Sequence, residues 1–255
     1  MTFMPFVTAG DPDLQTTRQV LLALRDAKVD LIELGFPYSD PIADGPVIQA
    51  SYTRALNNGI TVHGILDLVA DMKTENLPPI LAMVSFAIVF RFGVPQFAER
   101  AASAGFSGLI IPDLPAEEAA DMSAVARANG LDLVQLIAPT TTARRTEQIL
   151  SASTGFLYCI SVAGTTGVRT ELPAELTAQL RQLRSQTKLP LAVGFGISSP
   201  EQVGSLAGVA DGVIVGSAIV RQAAEGKNPE QAAANVRKLS DQMTAAVSRT
   251  KPSVI

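Results

Sequence analysis

The sequence predicts an α/β fold in which eight parallel strands and the helices between them close into a barrel. Eight short apolar runs are spread along the chain, and stretches with the apolar spacing of amphipathic helices lie between them. The length of 255 residues is usual for such a barrel. We therefore expect a single (β/α)8 TIM-barrel domain over residues 1–255. A doubly wound open sheet, which uses the same units, is the structural alternative.

The eight apolar runs predict the strands. Each run is almost continuously apolar, which is typical of parallel strands that are covered on both faces. In chain order they are 3-FMPFVTA-9, 31-LIELGF-36, 79-PILAMVS-85, 108-GLIIPD-113, 132-DLVQLIAP-139, 156-FLYCISV-162, 190-PLAVGFGI-197 and 212-GVIVGSAI-219.

Longer stretches with apolar residues every three or four positions predict the helices. Two of them end at Gly105 and Gly130, where a left-handed C-cap is expected. The stretches are 14-LQTTRQVLLALRDAK-28, 94-VPQFAERAASAG-105, 116-AEEAADMSAVARANG-130 and 174-AELTAQLRQLRSQ-186.

Polar residues and glycines concentrate directly after the predicted strands. In a barrel of this type, the loops that follow the strands carry the functional residues. We expect these residues in 10-GDPD-13, 37-PYSDPIADGP-46, 112-PDLP-115, 138-APTTT-142, 161-SVAGTTG-167, 194-GFGISS-199 and 216-GS-217.

The composition limits the possible partners. A net charge of -4 with scattered Lys and Arg gives no basic surface for nucleic acid or for an anionic membrane. The longest apolar run, 80-ILAMVSFAIVF-90, has about half of the ~20 residues in a membrane-spanning helix and is predicted to be a buried strand and its continuation. A lone cysteine, Cys159, and no visible signal peptide lead us to expect a cytoplasmic protein.

Several kinds of catalysis lack the residues that they need. One histidine, His63, and one cysteine support neither a catalytic triad nor a metal site, so no metal is expected. Lysines are missing from the strand ends, which argues against a Schiff base. Acid/base chemistry by carboxyl groups remains.

Glu33 is the first candidate for that chemistry, because it lies inside an apolar strand without Lys or Arg in the neighbouring strands. Burial without a partner raises the pKa of a carboxyl group and suits it to proton transfer. A structural ion pair is the alternative. Asp44, in the loop that follows, is expected over the same cavity, whereas Asp40 and Asp11 are expected only to shape turns.

The ends of the seventh and eighth strands suggest a phosphate site. Gly194, Gly196 and Gly216 let backbone N–H groups approach an anion, and a helix that begins near Ser217 directs its positive end toward it. The alternative is that these glycines only permit tight turns.

Tyr158 in the sixth strand is expected to face the barrel mouth beside Glu33, with ordinary core packing as the alternative. Cys159 should then point to the opposite side of the sheet. His63 is expected on a helix surface.

Six motifs together resemble the alpha subunit of tryptophan synthase. They follow the family's order over essentially the whole chain, and the pattern E-L-G-x-P-x-S-D-P-x-A-D-G-P is highly specific. The motifs are 5-PFVTAGDPD-13, 33-ELGFPYSDPIADGPVIQ-49, 112-PDLPAEE-118, 161-SVAGTTGVR-169, 194-GFGISSPEQV-203 and 215-VGSAIV-220.

The resemblance implies a lyase that splits indole-3-glycerol phosphate into indole and glyceraldehyde 3-phosphate by a retro-aldol reaction. Glu33 matches the family's acid/base glutamate, and Asp44 matches the aspartate that holds the indole N–H and stabilises positive charge on the ring. The remaining matches are the cavity residues Phe6 and Tyr158 and the phosphate-binding Gly167, Gly196, Gly216 and Ser217. Thr166 matches the threonine of the sixth loop that closes over the site and positions the catalytic aspartate.

The resemblance also implies a partner, a beta subunit that contains pyridoxal phosphate and receives indole through a tunnel in an α2β2 heterotetramer. No cofactor is expected in this chain. The chain departs from the family pattern at Ser85 and Ala87, where Tyr and Asn are usual, and we expect the short helix that commonly precedes the first strand to be missing. Two alternatives stay open: a subunit that mainly activates the beta subunit, and another phosphate-binding barrel enzyme.

Overall fold

The structure is a computed structural model that describes residues 1–42, 44–160, 174–194 and 196–250. Eight strands form a closed barrel in chain order, each parallel to its neighbours, and the last pairs back to the first. The predicted TIM barrel is confirmed, and the open-sheet alternative is wrong. The strands are β1 (Thr2–Thr8), β2 (Ile32–Gly35), β3 (Ile80–Met83), β4 (Gly108–Ile110), β5 (Asp132–Ile137), β6 (Leu157–Ile160), β7 (Leu191–Gly194) and β8 (Gly212–Val215).

Eleven α-helices occur among the described residues, and within that part of the chain none has the length and hydropathy needed to cross a bilayer. They are α1 (Leu14–Asp26), α2 (Pro46–Asn57), α3 (Val62–Asp71), α4 (Phe86–Phe92), α5 (Val94–Ala104), α6 (Ala120–Ala128), α7 (Ala143–Ala152), α8 (Ala174–Gln186), α9 (Pro200–Val203), α10 (Ser217–Ala224) and α11 (Pro229–Arg249).

Alternation along the strands separates two packing layers. Residues that point outward form the large core between strands and helices, as Ile32 and Leu34 of β2 do. Residues that point inward fill the barrel. Tyr158 belongs to this interior cluster and Cys159 to the outer core, which confirms the predicted opposite orientations. The interior residues are Met4, Leu81, Ile110, Val134, Phe156, Tyr158, Ala192 and Ile214, with Leu31, Met83, Leu136 and Ile160 at their edges.

The apolar run of residues 80–90 differs from its prediction as a strand and its continuation. β3 ends at Met83, and α4 begins at Phe86. Ser85 makes the break, because its backbone is extended and its Oγ accepts a hydrogen bond of 3.3 Å from the Ala87 N–H as a helix N-cap. The departures from the family pattern at Ser85 and Ala87 therefore lie at a capped helix N-terminus.

The predicted helix over residues 116–130 also differs, because it divides into a 3-10 helix, Ala116–Glu118, and α6. The two glycines at the predicted helix ends are confirmed as left-handed, with φ of 106° at Gly105 and 70° at Gly130.

Asp11 does more than shape a turn, so that prediction is wrong. Its side chain is buried and accepts two hydrogen bonds from Arg54 of α2, 2.8 Å from Nε to Oδ1 and 2.7 Å from Nη2 to Oδ2. Asn58 adds a 2.8 Å hydrogen bond from its Nδ2 to the Pro12 carbonyl. The loop after β1 is thereby fastened to α2, the helix that follows the second loop.

Candidate active site

Glu33 lies inside the barrel, with no exposed surface. Its neighbours Ile32 and Leu34 point outward into the main core, so the glutamate side chain points inward. It is paired in register with Phe6 on β1 and Leu81 on β3. Neither carboxyl oxygen has a hydrogen-bond partner among the described residues.

This burial changes the acidity of Glu33. Loss of hydration without a compensating cation or donor disfavours the carboxylate, and it raises the Glu33 pKa from 4.5 to about 8. The group is therefore mostly protonated at neutral pH, in agreement with the raised pKa expected from the sequence. The described residues provide no ion pair to Glu33, so the structural alternative is not supported.

Two glycines make room for aromatic rings beside Glu33. A Cβ on Gly35 would lie 2.4 Å from Cζ of Phe6, and a Cβ on Gly194 would lie 2.4 Å from the Tyr158 hydroxyl oxygen. Close packing therefore requires glycine at both positions. The Phe6 ring lies over Gly35 and the Tyr158 ring lies over Gly194, where the strands have no side chain. Gly194, expected near the phosphate, has this spatial role in addition.

Tyr158 reaches the region where both candidate carboxyl groups act. Burial raises the pKa of its phenol well above the usual value, and the negative charges of Glu33 and Asp44 raise it further. The Tyr158 hydroxyl therefore stays neutral at any ordinary pH.

Asp44 is held by its own loop and by the first turns of α2. Its N–H donates to the Pro41 carbonyl at 3.1 Å, and its carbonyl accepts a 2.8 Å hydrogen bond from Gln49 Nε2. Gln49 also donates to the Pro41 carbonyl at 3.2 Å. Burial raises the Asp44 pKa, and a hydrogen bond from the Tyr38 hydroxyl, 3.5 Å from Oδ2, opposes that rise.

Sequence reasoning missed Tyr38 and Tyr52, which pack together beside Asp44. Their ring centroids are 5.5 Å apart, and Tyr52 is buried with Phe6, Ile48 and Val220. The spacing of Ile48 and Tyr52, four residues apart, gives a signal that one face of α2 is buried. Nothing in the local sequence indicates that this face meets Tyr38.

The candidate phosphate side combines the ends of β7 and β8. Gly216 is the N-cap of α10, and Ser217 is its first residue. The N–H groups of the first helical turn have no partner within the helix, and this end of the helix follows β8 at the barrel mouth. A Cβ on Gly216 would lie 3.7 Å from Cβ of Phe6, which is ordinary contact. Gly196 has φ of 65°, a left-handed conformation that favours glycine.

Thr166 and Gly167 of the sixth loop lie outside the described residues. Their expected roles in loop closure and in phosphate binding stay predictions.

Ser85 connects the third loop to the fourth. Its hydroxyl donates a 2.7 Å hydrogen bond to Asp113 Oδ2, and the Phe86 N–H donates a 2.7 Å hydrogen bond to Oδ1 of the same carboxylate. Asp113 thus covers the start of α4, where a carboxylate is favoured by the helix dipole. His63 lies on the exposed surface of α3 against the ring of Phe92, as expected, with centroids 5.0 Å apart.

Within the described ranges, no three His, Cys, Asp or Glu side chains converge as metal ligands. Among the described residues, the chemistry available to the site is that of Glu33, Asp44 and the hydroxyls of Tyr38 and Tyr158, with backbone N–H groups at the anion side.

The chain is similar to one family along nearly its whole length. The family model described as "Tryptophan synthase alpha chain" matches residues 1–248. A tryptophan synthase alpha chain from Rhodopirellula baltica is 51% identical over 226 residues, which cover 87% of this chain and 81% of that protein. A tryptophan synthase alpha chain from Gloeobacter violaceus is 49% identical over 222 residues, 87% of this chain and 80% of the other.

Solved structures agree with these sequence relatives. The tryptophan synthase subunit alpha of Legionella pneumophila superposes with a TM-score of 0.88 at 38% identity, covering 97% of this chain and 93% of that chain. A chain of the tryptophan synthase a2b2 complex from Pyrococcus furiosus gives a TM-score of 0.89 at 39% identity, with coverage of 96% and 98%.

Proposed function

The chain belongs to the tryptophan synthase alpha chain family, and we propose that it cleaves indole-3-glycerol phosphate with Glu33 as the acid/base group and Asp44 as the electrostatic partner. The observation that carries this proposal is the environment of Glu33. A carboxyl group that is fully buried, has no hydrogen-bond partner among the described residues and has a pKa of about 8 is suited to give a proton at neutral pH and then to take one back.

The first step is protonation of the indole ring. The neutral Glu33 carboxyl gives its proton to the ring carbon that carries the side chain, and the positive charge that results is shared with the ring nitrogen. An ionised Asp44 near the ring N–H stabilises this charge, because opposite charges attract strongly in a site with little water.

The second step breaks the carbon–carbon bond. The Glu33 carboxylate takes the proton of the side-chain hydroxyl next to the ring, and the C–O bond becomes a carbonyl. The electron pair of the broken bond returns to the ring, which gives neutral indole and glyceraldehyde 3-phosphate. Glu33 is protonated again, so no oxidant or external base is consumed.

Binding and orientation are assigned to the surrounding residues. Phe6 and Tyr158 form aromatic walls of the indole cavity, and Gly194, Gly196, Gly216 and Ser217 provide the phosphate side. We assign Thr166 and Gly167 to the loop that closes over the bound substrate. An anion anchored at the mouth places the ring end of the substrate deeper in the barrel, where Glu33 lies.

The chain is the alpha subunit of an α2β2 assembly, with pyridoxal phosphate in the beta subunit, which converts indole to tryptophan. Solved relatives include such a complex from Pyrococcus furiosus. We place the assembly in the cytoplasm, which suits a biosynthetic enzyme and the free, buried Cys159.

Indole release from indole-3-glycerol phosphate, measured with and without a beta subunit, tests the proposal. We expect release in both conditions and faster release in the complex. A chain that stimulates the beta reaction but releases no indole would instead be a mainly activating subunit. A chain that does neither would fit another phosphate-binding barrel enzyme.

A further inference from the structure

We propose that Tyr38 is a positioning residue for Asp44, fixing the orientation of its carboxylate through a hydrogen bond from a ring that Tyr52 holds in place. The inference rests on the proposed function of Asp44 and adds a residue that this function does not assign. Among the described side chains, the Tyr38 hydroxyl alone donates a hydrogen bond to the Asp44 carboxylate, at 3.5 Å from Oδ2.

The backbone of Asp44 and its carboxylate are fixed by different contacts. Hydrogen bonds to Pro41 and from Gln49 place the backbone of the loop. These bonds leave the side chain of Asp44 free to rotate about its own bonds, because none of them reaches a carboxylate oxygen. A carboxylate that must meet a ring N–H needs a second constraint, and the Tyr38 hydroxyl provides it.

The ring of Tyr38 is itself well placed to provide that constraint. It packs on Tyr52 with centroids 5.5 Å apart and an interplanar angle of 57°. Tyr52 is only 2% exposed and belongs to a cluster with Phe6 and Ile48. Because Phe6 also forms a wall of the candidate cavity, the tyrosine pair links the Asp44 loop to the place where the substrate ring would bind.

The length of the hydrogen bond is consistent with a contact that tightens on binding. A distance of 3.5 Å is at the weak end for a hydroxyl donor. Hydrogen bonds in catalytic sites are often long without substrate and shorten in the complex. One oxygen of Asp44 is then occupied by Tyr38, and the other remains for the substrate N–H.

The Tyr38 hydroxyl also affects the protonation of Asp44. The Tyr38 hydroxyl stabilises the carboxylate form and lowers the Asp44 pKa, against the effect of burial. Several other titratable groups interact with Tyr38 or Asp44 and can contribute to the pH dependence of the activity. They are Asp40 in the same loop, Asp113 after β4, Tyr52 on α2, Glu33 on β2 and Tyr158 on β6.

The experiment compares Tyr38→Phe, Asp44→Asn and the double variant with the wild-type α2β2 complex in cleavage of indole-3-glycerol phosphate. Tyr38→Phe keeps the ring and removes only the donor. We expect kcat to fall about tenfold with KM changed less than about twofold, because a hydrogen bond to a charged group is lost and the phosphate anchor is kept. The acidic limb of its kcat profile should move to higher pH.

Tyr52→Phe is the matched control, because it deletes a hydroxyl of the same kind that makes no hydrogen bond to Asp44 among the described residues. Its acidic limb should stay at the wild-type position. Thermal unfolding of both variants should match the wild type within a few degrees, since both rings are retained.

The double variant separates positioning from an independent effect. If Tyr38 acts through Asp44, Tyr38→Phe has little further effect in the Asp44→Asn background, measured under single-turnover conditions. An equal loss in both backgrounds, or an unmoved acidic limb, overturns the inference. The comparison uses the residual cleavage of Asp44→Asn, whereas cleavage by Asp44→Asn within about tenfold of wild type would overturn the proposed function itself, so the two failures are distinguishable.

Discussion

Replacement of Glu33 by glutamine should remove a loss of stability that Glu33 causes as the pH rises. The folded-state pKa of about 8 lies above the ordinary value of 4.5, so the folded protein holds a proton that the unfolded chain releases. The contribution of protonated Glu33 is fully present below the unfolded pKa and is lost as pH rises toward the folded pKa. Wild-type stability should therefore decline through this window because of Glu33.

The magnitude follows from the two pKa values. One pKa unit corresponds to about 1.4 kcal/mol, so Glu33 should cost the wild type about 3 to 4 kcal/mol of unfolding free energy between about pH 5 and about pH 8. Glutamine has nearly the same shape as a protonated glutamic acid and does not titrate. The two proteins should be similarly stable at about pH 5, and Glu33→Gln should be the more stable by that amount at about pH 8.

Urea unfolding followed by circular dichroism at several pH values measures this difference directly. Glu99→Gln, at an exposed position of α5, is the matched control because it removes the same formal charge from the surface, and it should follow the wild-type curve. Parallel curves for wild type and Glu33→Gln over the whole range would show that Glu33 is ionised in the folded protein. That result would refute the conclusion that the buried Glu33 carboxyl group is neutral in the folded protein.

Three further predictions concern the packing and the hydrogen bonds that hold the loops of the barrel mouth. Gly194→Ala should displace the Tyr158 ring, because the new Cβ would lie 2.4 Å from the hydroxyl oxygen. We expect the unfolding free energy to fall by about 1 to 3 kcal/mol and the KM for indole-3-glycerol phosphate to rise. An unchanged KM would contradict the assigned position of the ring. Arg54→Met should lower the unfolding free energy by about 2 to 4 kcal/mol in urea titrations, because it leaves the buried Asp11 carboxylate without its two hydrogen bonds. A loss below about 1 kcal/mol would contradict this and would mean that water replaces the arginine. Ser85→Ala should cost about 1 kcal/mol by calorimetry through loss of the α4 cap and of the bond to Asp113, whereas the control Ser151→Ala on the exposed face of α7 should change stability by less than about half of that.

The barrel could be predicted from the sequence because its signals are local and repeated. Eight buried strands each give a continuous apolar run, and their order in the barrel follows the order in the chain. The end of β3 was not predictable in the same way, since the residues that follow it are as apolar as the strand. Only the Ser85 side chain, which binds the backbone of its own helix and Asp113, marks the change to α4.

Glu33 was identifiable in the sequence because an ionisable residue in an apolar strand is costly without a partner. The contacts that fasten the first and second loops to α2 were not, because they join side chains from separate elements of the barrel. Arg54 and Asp11 are 43 positions apart, and the meeting of Tyr38 with Tyr52 depends on how α2 crosses the second loop. Gly194 was expected to approach a phosphate or to permit a tight turn, but the role of Gly35 and Gly194 in accommodating Phe6 and Tyr158 depends on packing inside the barrel.

The most direct test of Glu33 as the proton-transfer group is cleavage of indole-3-glycerol phosphate by Glu33→Gln in single-turnover experiments, with binding of the phosphate ligand measured in parallel. Wild type and variant should bind with similar affinity, because the glutamine side chain keeps the shape of the site. We expect cleavage to fall at least about a thousandfold, since glutamine cannot exchange a proton with the substrate. Cleavage within about tenfold of wild type at equal binding would contradict the assignment of Glu33.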